Sequence, residues 1–162
     1  LAVPYAGHAE LIRGLRGELA GKTVISCVNP VGFDASGAFA IQPGAGSAAE
    51  EAAQLAPEAR VVAAYHHLSA PKLLRPEADV SGDDVLLCGD DEDALLLVDE
   101  LTRRGLGARP VRAGALRLAG TLEALTAVII SVNRRYRVSA GVALTGFPRP
   151  DPAEAEHAAR PS

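Results

Sequence analysis

The amino-acid sequence predicts an α/β fold, built on a Rossmann-type, mainly parallel sheet with helices on both faces. Short β-branched and apolar runs alternate along the chain with segments of helical periodicity. These runs lack the polar alternation of a half-exposed strand, which indicates strands buried on both faces. Apolar residues make up 48% of the chain and charged residues 22%, the balance of an ordinary globular protein.

The first half of the chain contains its predicted elements in a regular order. Leu1–Val3 is a short apolar run that ends at Pro4, as is typical of the last residues of a strand. Asn29–Gly46 is rich in Gly and Pro, and we expect a long loop there. The other elements are a helix at Glu10–Leu19 that stops at Gly21, a buried strand at Thr23–Val28, a helix at Ser47–Leu55 that opens with a Ser47…Glu50 capping box, and a buried strand at Arg60–Tyr65.

The second half continues the alternation and ends in a long helix. Ala115–Tyr136 is nearly apolar through Ala127–Val132, which predicts burial on all sides over that stretch. Phe147–Ser162 consists of Pro, Ala and charged residues without periodicity, and we expect it to be disordered. The other predicted elements are strands at Val85–Cys88, Arg109–Arg112 and Val138–Leu144, and a helix at Glu92–Arg104.

Composition argues against several classes of protein. The net charge of −4 offers no basic surface for nucleic acid. No apolar run reaches the roughly 20 residues of a membrane span. Cys27 and Cys88 lie in separate apolar runs and are expected to be buried, reduced thiols of a cytoplasmic protein, although a disulfide stays possible. The chain contains no Met and begins at Leu1, so we expect a fragment of a longer protein.

Three predicted strand exits are the candidate ligand sites, because open α/β sheets bind ligands at the carboxyl ends of their strands. They are Val3–Tyr5, Cys27–Pro30 and Tyr65–Leu68. His66 and His67 adjoin at the third exit, and neighbours on a strand face opposite sides, so the two are not expected to share a metal ion. Either one histidine is packed and the other solvated, or one imidazole lies over a ligand ring.

Other motifs favour structural interpretations. Gly44–Ala49 fits a G-x-G-x-x-A phosphate fingerprint, but no good strand precedes it, which favours loop glycines and a capped helix over an anion site. The acidic run at 90–93 suits a helix start better than a metal site. Arg134, Arg135 and Arg137 suit a helix end better than a clamp on an anionic cofactor. The absence of a triad, carboxylate pair or zinc pattern is consistent with hydride transfer, which needs only two rings held together in a dry cleft.

Seven segments, taken in order, resemble NADPH-dependent coenzyme F420 reductases. Each motif is weak alone, but their order and spacing are fairly specific, and the resemblance runs from Leu1 to about Gly146. The segments are Gly21–Pro30, Gly46–Glu51, Val61–Leu68, Leu87–Asp91, Arg109–Val111, Glu123–Thr126 and Ser131–Tyr136.

The resemblance implies an oxidoreductase that transfers a hydride between NADP(H) and the deazaflavin coenzyme F420. It implies that the glycine loop and the residues that read the NADP 2′-phosphate precede Leu1, so the 162-residue chain alone is expected to bind NADPH weakly or not at all. His66 and Leu68 would position the two rings. The residues implied to bind the cofactors are Pro4, Tyr5, Asn29, Pro30, His66, Leu68, Ala70, Ala140 and Gly141.

The resemblance also implies a division of the chain and a homo-oligomer. Residues 1–84 would be the remainder of an NADP-binding Rossmann-type domain, 85–146 a small C-terminal deazaflavin-site domain, and 147–162 a disordered tail. The partners would be small-molecule cofactors and a second copy of the chain, without nucleic acid or membrane. A sheet without its first strands would expose an apolar edge, so we expect the chain alone to be poorly soluble.

The sequence departs from the family pattern in the turn after the Arg109–Arg112 strand. Where the family usually carries an acid, an Asn and an Arg, this chain has Arg112, Leu118 and Gly120. Two alternatives to F420 reduction therefore stay open. One is a related reductase with an imine or metal-complex acceptor. The other is a non-catalytic nucleotide-binding protein that dimerises through Ala115–Tyr136.

Overall fold

The computed structural model describes residues 1–75, 77 and 79–147. The predicted disordered tail therefore lies outside the described residues, apart from Phe147. The elements, in chain order, are helix α1 (His8–Leu19), strands β1 (Thr23–Ser26), β2 (Val31–Asp34) and β3 (Gly37–Ala40), helix α2 (Ala48–Leu55), strand β4 (Arg60–Ala63), helix α3 (Ala70–Leu73), strand β5 (Asp84–Gly89), helix α4 (Glu92–Leu101) with a π-helical turn at Thr102–Leu106, strand β6 (Arg109–Gly114), a 3₁₀ turn at Leu116–Leu118 and helix α5 (Ala119–Tyr136).

Four strands form one sheet in the order β1-β4-β5-β6. β1 pairs with β4 and β5 with β6 in parallel, whereas β4 and β5 are antiparallel. Helices cover both faces of the sheet. Successive residues of a strand point to opposite faces, and β4 has apolar, buried side chains on both. Val61 and Ala63 of β4 pack with α1, α2 and α5, while Val62 and Ala64 pack with α4. The predicted α/β, mainly parallel fold is confirmed.

The segment predicted as the long loop Asn29–Gly46 contains a β-hairpin. β2 and β3 pair antiparallel across a turn in which Asp34 Oδ1 accepts hydrogen bonds from the Ser36 and Gly37 amides at 2.7 and 3.1 Å. Gly37 has a φ of 123°, which favours glycine. The loop prediction was wrong because the strands are short and rich in Gly and Ala, so their β propensity is low.

Two predictions about the end of the chain were also wrong. Val138–Leu144 forms no strand; its main attachment to the sheet is one residue of β5, because the Asp84 amide donates to the Val142 carbonyl at 2.7 Å and Asp84 Oδ2 accepts from the Leu144 amide at 2.5 Å. Nor is α5 buried all round between Ala127 and Val132, since Val128 is 57% exposed. One face of α5 packs against the β2–β3 hairpin and α2, and its exposed apolar residues are left uncovered by the described chain.

Helix α5 with its preceding turn, Leu116–Tyr136, is by length and composition apolar enough to cross a membrane. Within the described residues it packs mainly against the β2–β3 hairpin and α2, and its Leu122 joins the buried core on that side of the sheet. The core helix of a soluble protein has the same composition, because one of its faces is buried.

Leu1 lies beside β1, but residues 1–3 do not form the predicted strand end. The Leu1 amino group donates to the Ile25 carbonyl at 2.5 Å, and the Cys27 amide donates to the Leu1 carbonyl at 3.1 Å. This is a parallel pairing that involves Leu1 alone. It directs the following residues, Pro4 and Tyr5, toward the carboxyl end of β1.

Candidate functional site

The candidate site lies at the carboxyl ends of β1 and β4. Because these neighbouring strands are parallel, the segments that follow them leave the sheet at the same edge. Asn29 follows β1 and His66 follows β4, and their side chains are in hydrogen-bonding contact. Two of the three predicted strand exits therefore meet directly.

Tyr65 bends the backbone just before the two histidines. Its φ of 66° lies in the left-handed region, which non-glycine residues rarely occupy. Its hydroxyl lies 3.0 Å from Thr102 Oγ1, which ties the bend to the end of α4. This turn breaks the alternation of the strand, and both His66 and His67 are buried, at 4% and 6% exposure. The interpretation with one packed and one solvated histidine was wrong.

A polar triad of Asn29, His66 and Thr126 joins β1, β4 and α5. Asn29 Oδ1 lies 3.1 Å from His66 Nδ1 and 2.9 Å from Thr126 Oγ1. Asn29 Nδ2 donates to the His66 main-chain carbonyl at 3.4 Å, and the Thr126 hydroxyl lies 3.3 Å from the same carbonyl. Thr126 was not predicted as a site residue, because a threonine inside an apolar helix gives no signal until its neighbours are known.

Both histidines are held neutral. Burial, with a smaller contribution from the nearby His67, lowers the pKa of His66 to about 3. Burial also lowers the pKa of His67, partly offset by the Leu122 carbonyl, which accepts from His67 Nε2 at 2.8 Å. His66 Nε2, in contrast, is buried and has no hydrogen-bond partner among the described residues.

A narrow groove that has no room for a water molecule runs beside the histidines. Its walls are the residues after β4 and the first half of β5: Tyr65, His66, His67, Leu68, Asp84, Val85 and Leu86. A ligand that reached His66 would have to part these walls.

The remaining residues predicted near the deazaflavin meet around Asp83, at the start of β5. Ala70 opens α3, whose Lys72 forms an ion pair with Asp83 at 3.3 Å. Gly141 packs closely on the Asp83 carboxylate, so a side chain at that position would require the Asp83 side chain to move. The preceding Ala140 amide donates to Asn133 Oδ1 at 2.7 Å.

The residues predicted near the nicotinamide are partly covered. Pro4 is exposed, whereas Tyr5 is half-buried and its ring lies 5.9 Å from that of His8. Burial and the charges of Glu51 and Glu123 raise the pKa of Tyr5. Pro30 is buried at the base of the hairpin, where its carbonyl accepts from the Ile41 amide at 2.8 Å.

At the glycine-rich Gly44–Ala49 segment, a carboxylate of the same chain binds where a ligand anion would otherwise bind. The buried Glu123 carboxylate accepts from the Ala48 and Ala49 amides at 2.8 and 3.0 Å, and Ser47 Oγ accepts from the Glu50 amide at 2.9 Å. The predicted capped helix start is confirmed. Glu123 binds the two main-chain amides that a phosphate would need. The sequence does contain a signal for this contact, because an acidic residue inside an apolar helix is expected to have a buried partner.

Of the three residues that depart from the family pattern, two lie at the surface and one is closely packed. Arg112 forms an exposed ion pair with Glu92 at 2.5 Å, and Leu118 is 43% exposed. Gly120 packs on the Gly46 main chain, where a Cβ would lie 2.6 Å from the Gly46 carbonyl oxygen. The close approach of α5 to the start of α2 therefore requires glycine at position 120.

Three curated relatives are described as F420-dependent NADP reductases. The one from Methanothermobacter thermautotrophicus is 33% identical over 153 residues, 91% of this chain and 66% of the relative. The one from Methanothermobacter marburgensis is 31% identical over 156 residues, 91% and 68%. The one from Methanocaldococcus jannaschii is 30% identical over 139 residues, 85% and 62%. The chain thus spans about two thirds of their length. No protein-family model matches it.

Two solved structures share the fold. A candidate F420-dependent NADP reductase from an Arthrobacter species superposes with a TM-score of 0.75 at 23% identity, over 88% of this chain and 67% of the other. A hypothetical protein from Sinorhizobium meliloti gives a TM-score of 0.59 at 29% identity, over 78% and 57%. The first shows the fold alone, since its identity is low.

Proposed function

The chain belongs to the F420-dependent NADP reductase family, and from this premise we propose that the protein transfers a hydride between NADP(H) and coenzyme F420. The two cofactors supply the redox chemistry. The chain's own part is to hold two rings in contact, in a cleft that excludes water. The contact between Asn29 and His66, which joins the exits of two parallel strands, is the observation that carries this proposal.

The described residues fit a ring-binding role. His66 stays neutral near pH 7, so its imidazole presents a flat, uncharged surface beside the half-buried Leu68. Its Nε2 is a buried polar atom without a partner among the described residues, a feature that natural structures rarely leave unexplained. Because His66 does not ionise near neutral pH, it positions the rings and does not act as a proton donor.

We also propose how the two sides of the site are divided. Residues 1–84 contribute the nicotinamide side through Pro4, Tyr5, Asn29 and Pro30, and His66 and Leu68 flank the two stacked rings. Residues 85–146 contribute the deazaflavin side through Ala140 and Gly141, together with Ala70. The meeting of α3 and the 140–144 segment at the start of β5 supports this division. All four strands nonetheless belong to one sheet.

The test is a hydride-transfer assay on the protein expressed from its complete gene. NADPH is mixed with coenzyme F420, and the absorbance bands of both are followed. We expect the two bands to decrease together, and His66→Ala to slow the change at least about tenfold. The matched control, His157→Ala, changes a histidine of the C-terminal tail and should leave the rate unaltered. If neither band changes with F420 but NADPH is oxidised by an imine or a metal complex, the acceptor is different.

We further propose that the protein is a cytoplasmic homodimer. The exposed outer face of α5 supports self-association, since Val128, Val132 and Tyr136 are 57%, 38% and 65% exposed and recur at four-residue spacing. The reduced Cys27 and Cys88 are consistent with a cytoplasmic location.

A further inference from the structure

The orientation of the Asn29 side chain is determined by a main-chain carbonyl. The His66 carbonyl can only accept hydrogen bonds, and it lies 3.4 Å from one terminal atom of the Asn29 amide, which must therefore be the donor nitrogen Nδ2. If the amide were rotated by half a turn, two oxygen atoms would face each other there without a hydrogen. The amide oxygen therefore points to the other side, toward His66 Nδ1 and the Thr126 hydroxyl.

This orientation in turn determines which nitrogen of His66 carries the hydrogen. Asn29 Oδ1 is an acceptor and lies 3.1 Å from His66 Nδ1, so Nδ1 must be the donor. The Thr126 hydroxyl, 2.9 Å from the same oxygen, supports the arrangement from α5. A neutral imidazole with its hydrogen on Nδ1 has a lone pair on Nε2. His66 Nε2 is thus a hydrogen-bond acceptor, buried and without a partner among the described residues.

The neighbouring histidine has the opposite tautomer. His67 Nε2 lies 2.8 Å from the Leu122 carbonyl, which is only an acceptor, so His67 carries its hydrogen on Nε2. The two rings lie with centroids 6.3 Å apart, and they differ in what each offers to its surroundings. His67 donates to α5, whereas His66 Nε2 has no hydrogen-bond partner among the described residues.

We propose that Asn29 and Thr126 are positioning residues that hold His66 as the Nδ1–H tautomer, so that Nε2 accepts a hydrogen bond from an amide-type N–H of the bound ring. The inference rests on the proposed function for the nature of the ring. Both rings carry such a group: nicotinamide has a carboxamide, and a deazaflavin has an imide N–H in its pyrimidine ring. An N–H donor would satisfy the buried acceptor, whereas a carbonyl would face its lone pair.

The tautomer is tested on the ligand-free protein by nitrogen-15 NMR of the histidine side chains, which distinguishes Nδ1–H, Nε2–H and the doubly protonated ring. At pH 7 we expect the Nδ1–H pattern for His66 and the Nε2–H pattern for His67, which is an internal reference in the same spectrum. A His66 ring with its hydrogen on Nε2, or with hydrogens on both nitrogens, would overturn the proposal. This measurement does not depend on activity.

The acceptor role is tested by adding NADP⁺ and F420 separately to the protein that the hydride-transfer assay uses. The probe whose N–H meets Nε2 should shift the Nε2 resonance toward that of a hydrogen-bonded nitrogen. For NADP⁺, the 3-acetylpyridine analogue lacks the carboxamide N–H and should bind about tenfold more weakly; for the deazaflavin, an N-methylated imide is the equivalent probe. If both unmodified probes bind without moving the resonance, the acceptor role is wrong. If neither binds, the proposed function fails while the tautomer result stands.

Two variants test the positioning residues. Thr126→Val keeps the shape and removes the hydroxyl, so we expect a partial loss of the Nδ1–H tautomer and a rise in KM with little change in kcat. Asn29→Asp places a carboxylate against Nδ1, which favours the doubly protonated ring and converts Nε2 from an acceptor to a donor. It should weaken binding of the responding probe about tenfold and leave the analogue without the N–H unaffected. Equal loss for both probes would indicate a merely structural role.

Discussion

At the scale of single residues, His66 and Glu123 are buried polar groups that reach stability in different ways. His66 gives up its charge, since burial lowers its pKa to about 3. For Glu123, burial raises the pKa, and the hydrogen bonds from the Ala48 and Ala49 amides lower it again. The repulsion from Glu50 and Glu51 adds to the effect of burial. The carboxylate caps a helix, whereas the imidazole leaves Nε2 without a hydrogen-bond partner among the described residues.

The pKa of His66 predicts how stability depends on pH. In the unfolded chain a histidine has a pKa of about 6.5, so below this pH the unfolded state binds a proton that the folded state excludes until about pH 3. The stabilising contribution is complete above pH ~6.5 and is lost as the pH falls toward 3. Between pH 7 and 5 the free energy of unfolding should decrease by about 2 kcal/mol from this residue.

The measurement is urea unfolding at several pH values, for the wild type and for His66→Gln, which does not titrate. The difference between the two curves isolates His66 from the other groups that titrate in this range. His67, whose pKa is also lowered, contributes equally to both proteins. Curves that stay parallel from pH 7 to 5 would show that His66 is protonated as easily in the fold as in the unfolded chain.

At the scale of elements, the contact between α5 and the start of α2 organises one side of the site. Glu123 binds the α2 amides, Thr126 reaches Asn29 one turn later, and the Leu122 carbonyl accepts from His67. The first contact requires α5 to lie close to the start of α2, and the other two attach α5 to the segments that follow β1 and β4. Gly120 permits this distance, because its missing side chain leaves room for the Gly46 carbonyl.

Gly120→Ala should therefore destabilise the protein, although alanine ordinarily favours a helix. Its Cβ would lie 2.6 Å from the Gly46 carbonyl oxygen, a main-chain atom that cannot turn aside, and we expect a loss of about 1–3 kcal/mol. The matched control is Gly14→Ala in α1, where no atom lies within 4 Å and a gain of about 0.5–1 kcal/mol is expected. Unfolding free energies of the two variants provide the comparison, and a stabilised Gly120→Ala would contradict the close packing.

At the scale of the whole molecule, the sheet is covered on both faces but exposes apolar surface elsewhere. Val128, Val132 and Tyr136 form a stripe on α5, and the hairpin that packs against this helix exposes Phe33 and Phe39 at 68% and 46%. Along the outer edge of β1, the described residues offer only Leu1 as a pairing partner. Exposed apolar stripes and open strand edges both favour association.

We predict that the 162-residue chain self-associates through the stripe on α5. Sedimentation velocity of Val128→Glu should show a shift toward the monomer, because a charge would have to be buried in the interface. Leu97→Glu on α4 is the control, as it replaces an apolar residue of similar exposure, 45% against 57%, outside the stripe. A wild-type chain that sediments as a monomer and melts cooperatively would contradict both this prediction and the expected poor solubility.

The sequence by itself determined the alternation of strands and helices, the strand exits at Asn29 and His66, and the capped start of α2. These are local features: β-branched runs, a Ser47…Glu50 spacing and an order of short motifs that resembles one family. The hairpin at Val31–Ala40 was not predicted, because strands rich in Gly and Ala have low β propensity. Its strands depend on packing against α5. The segment Val138–Leu144 has the β propensity of a strand but does not form one. It makes hydrogen bonds to Asp84 and to nearby side chains and does not pair along a neighbouring strand.

Only the tertiary structure decided what the two histidines do. Adjacent residues of a regular strand face opposite sides, and the left-handed turn at Tyr65 removes that rule. The partners of His66 come from β1 and α5, at 37 and 60 positions' separation in sequence, and no local pattern specifies such contacts. Burial and tautomer, and with them the chemistry that His66 offers, follow from these distant neighbours, since both depend on what surrounds the ring in three dimensions.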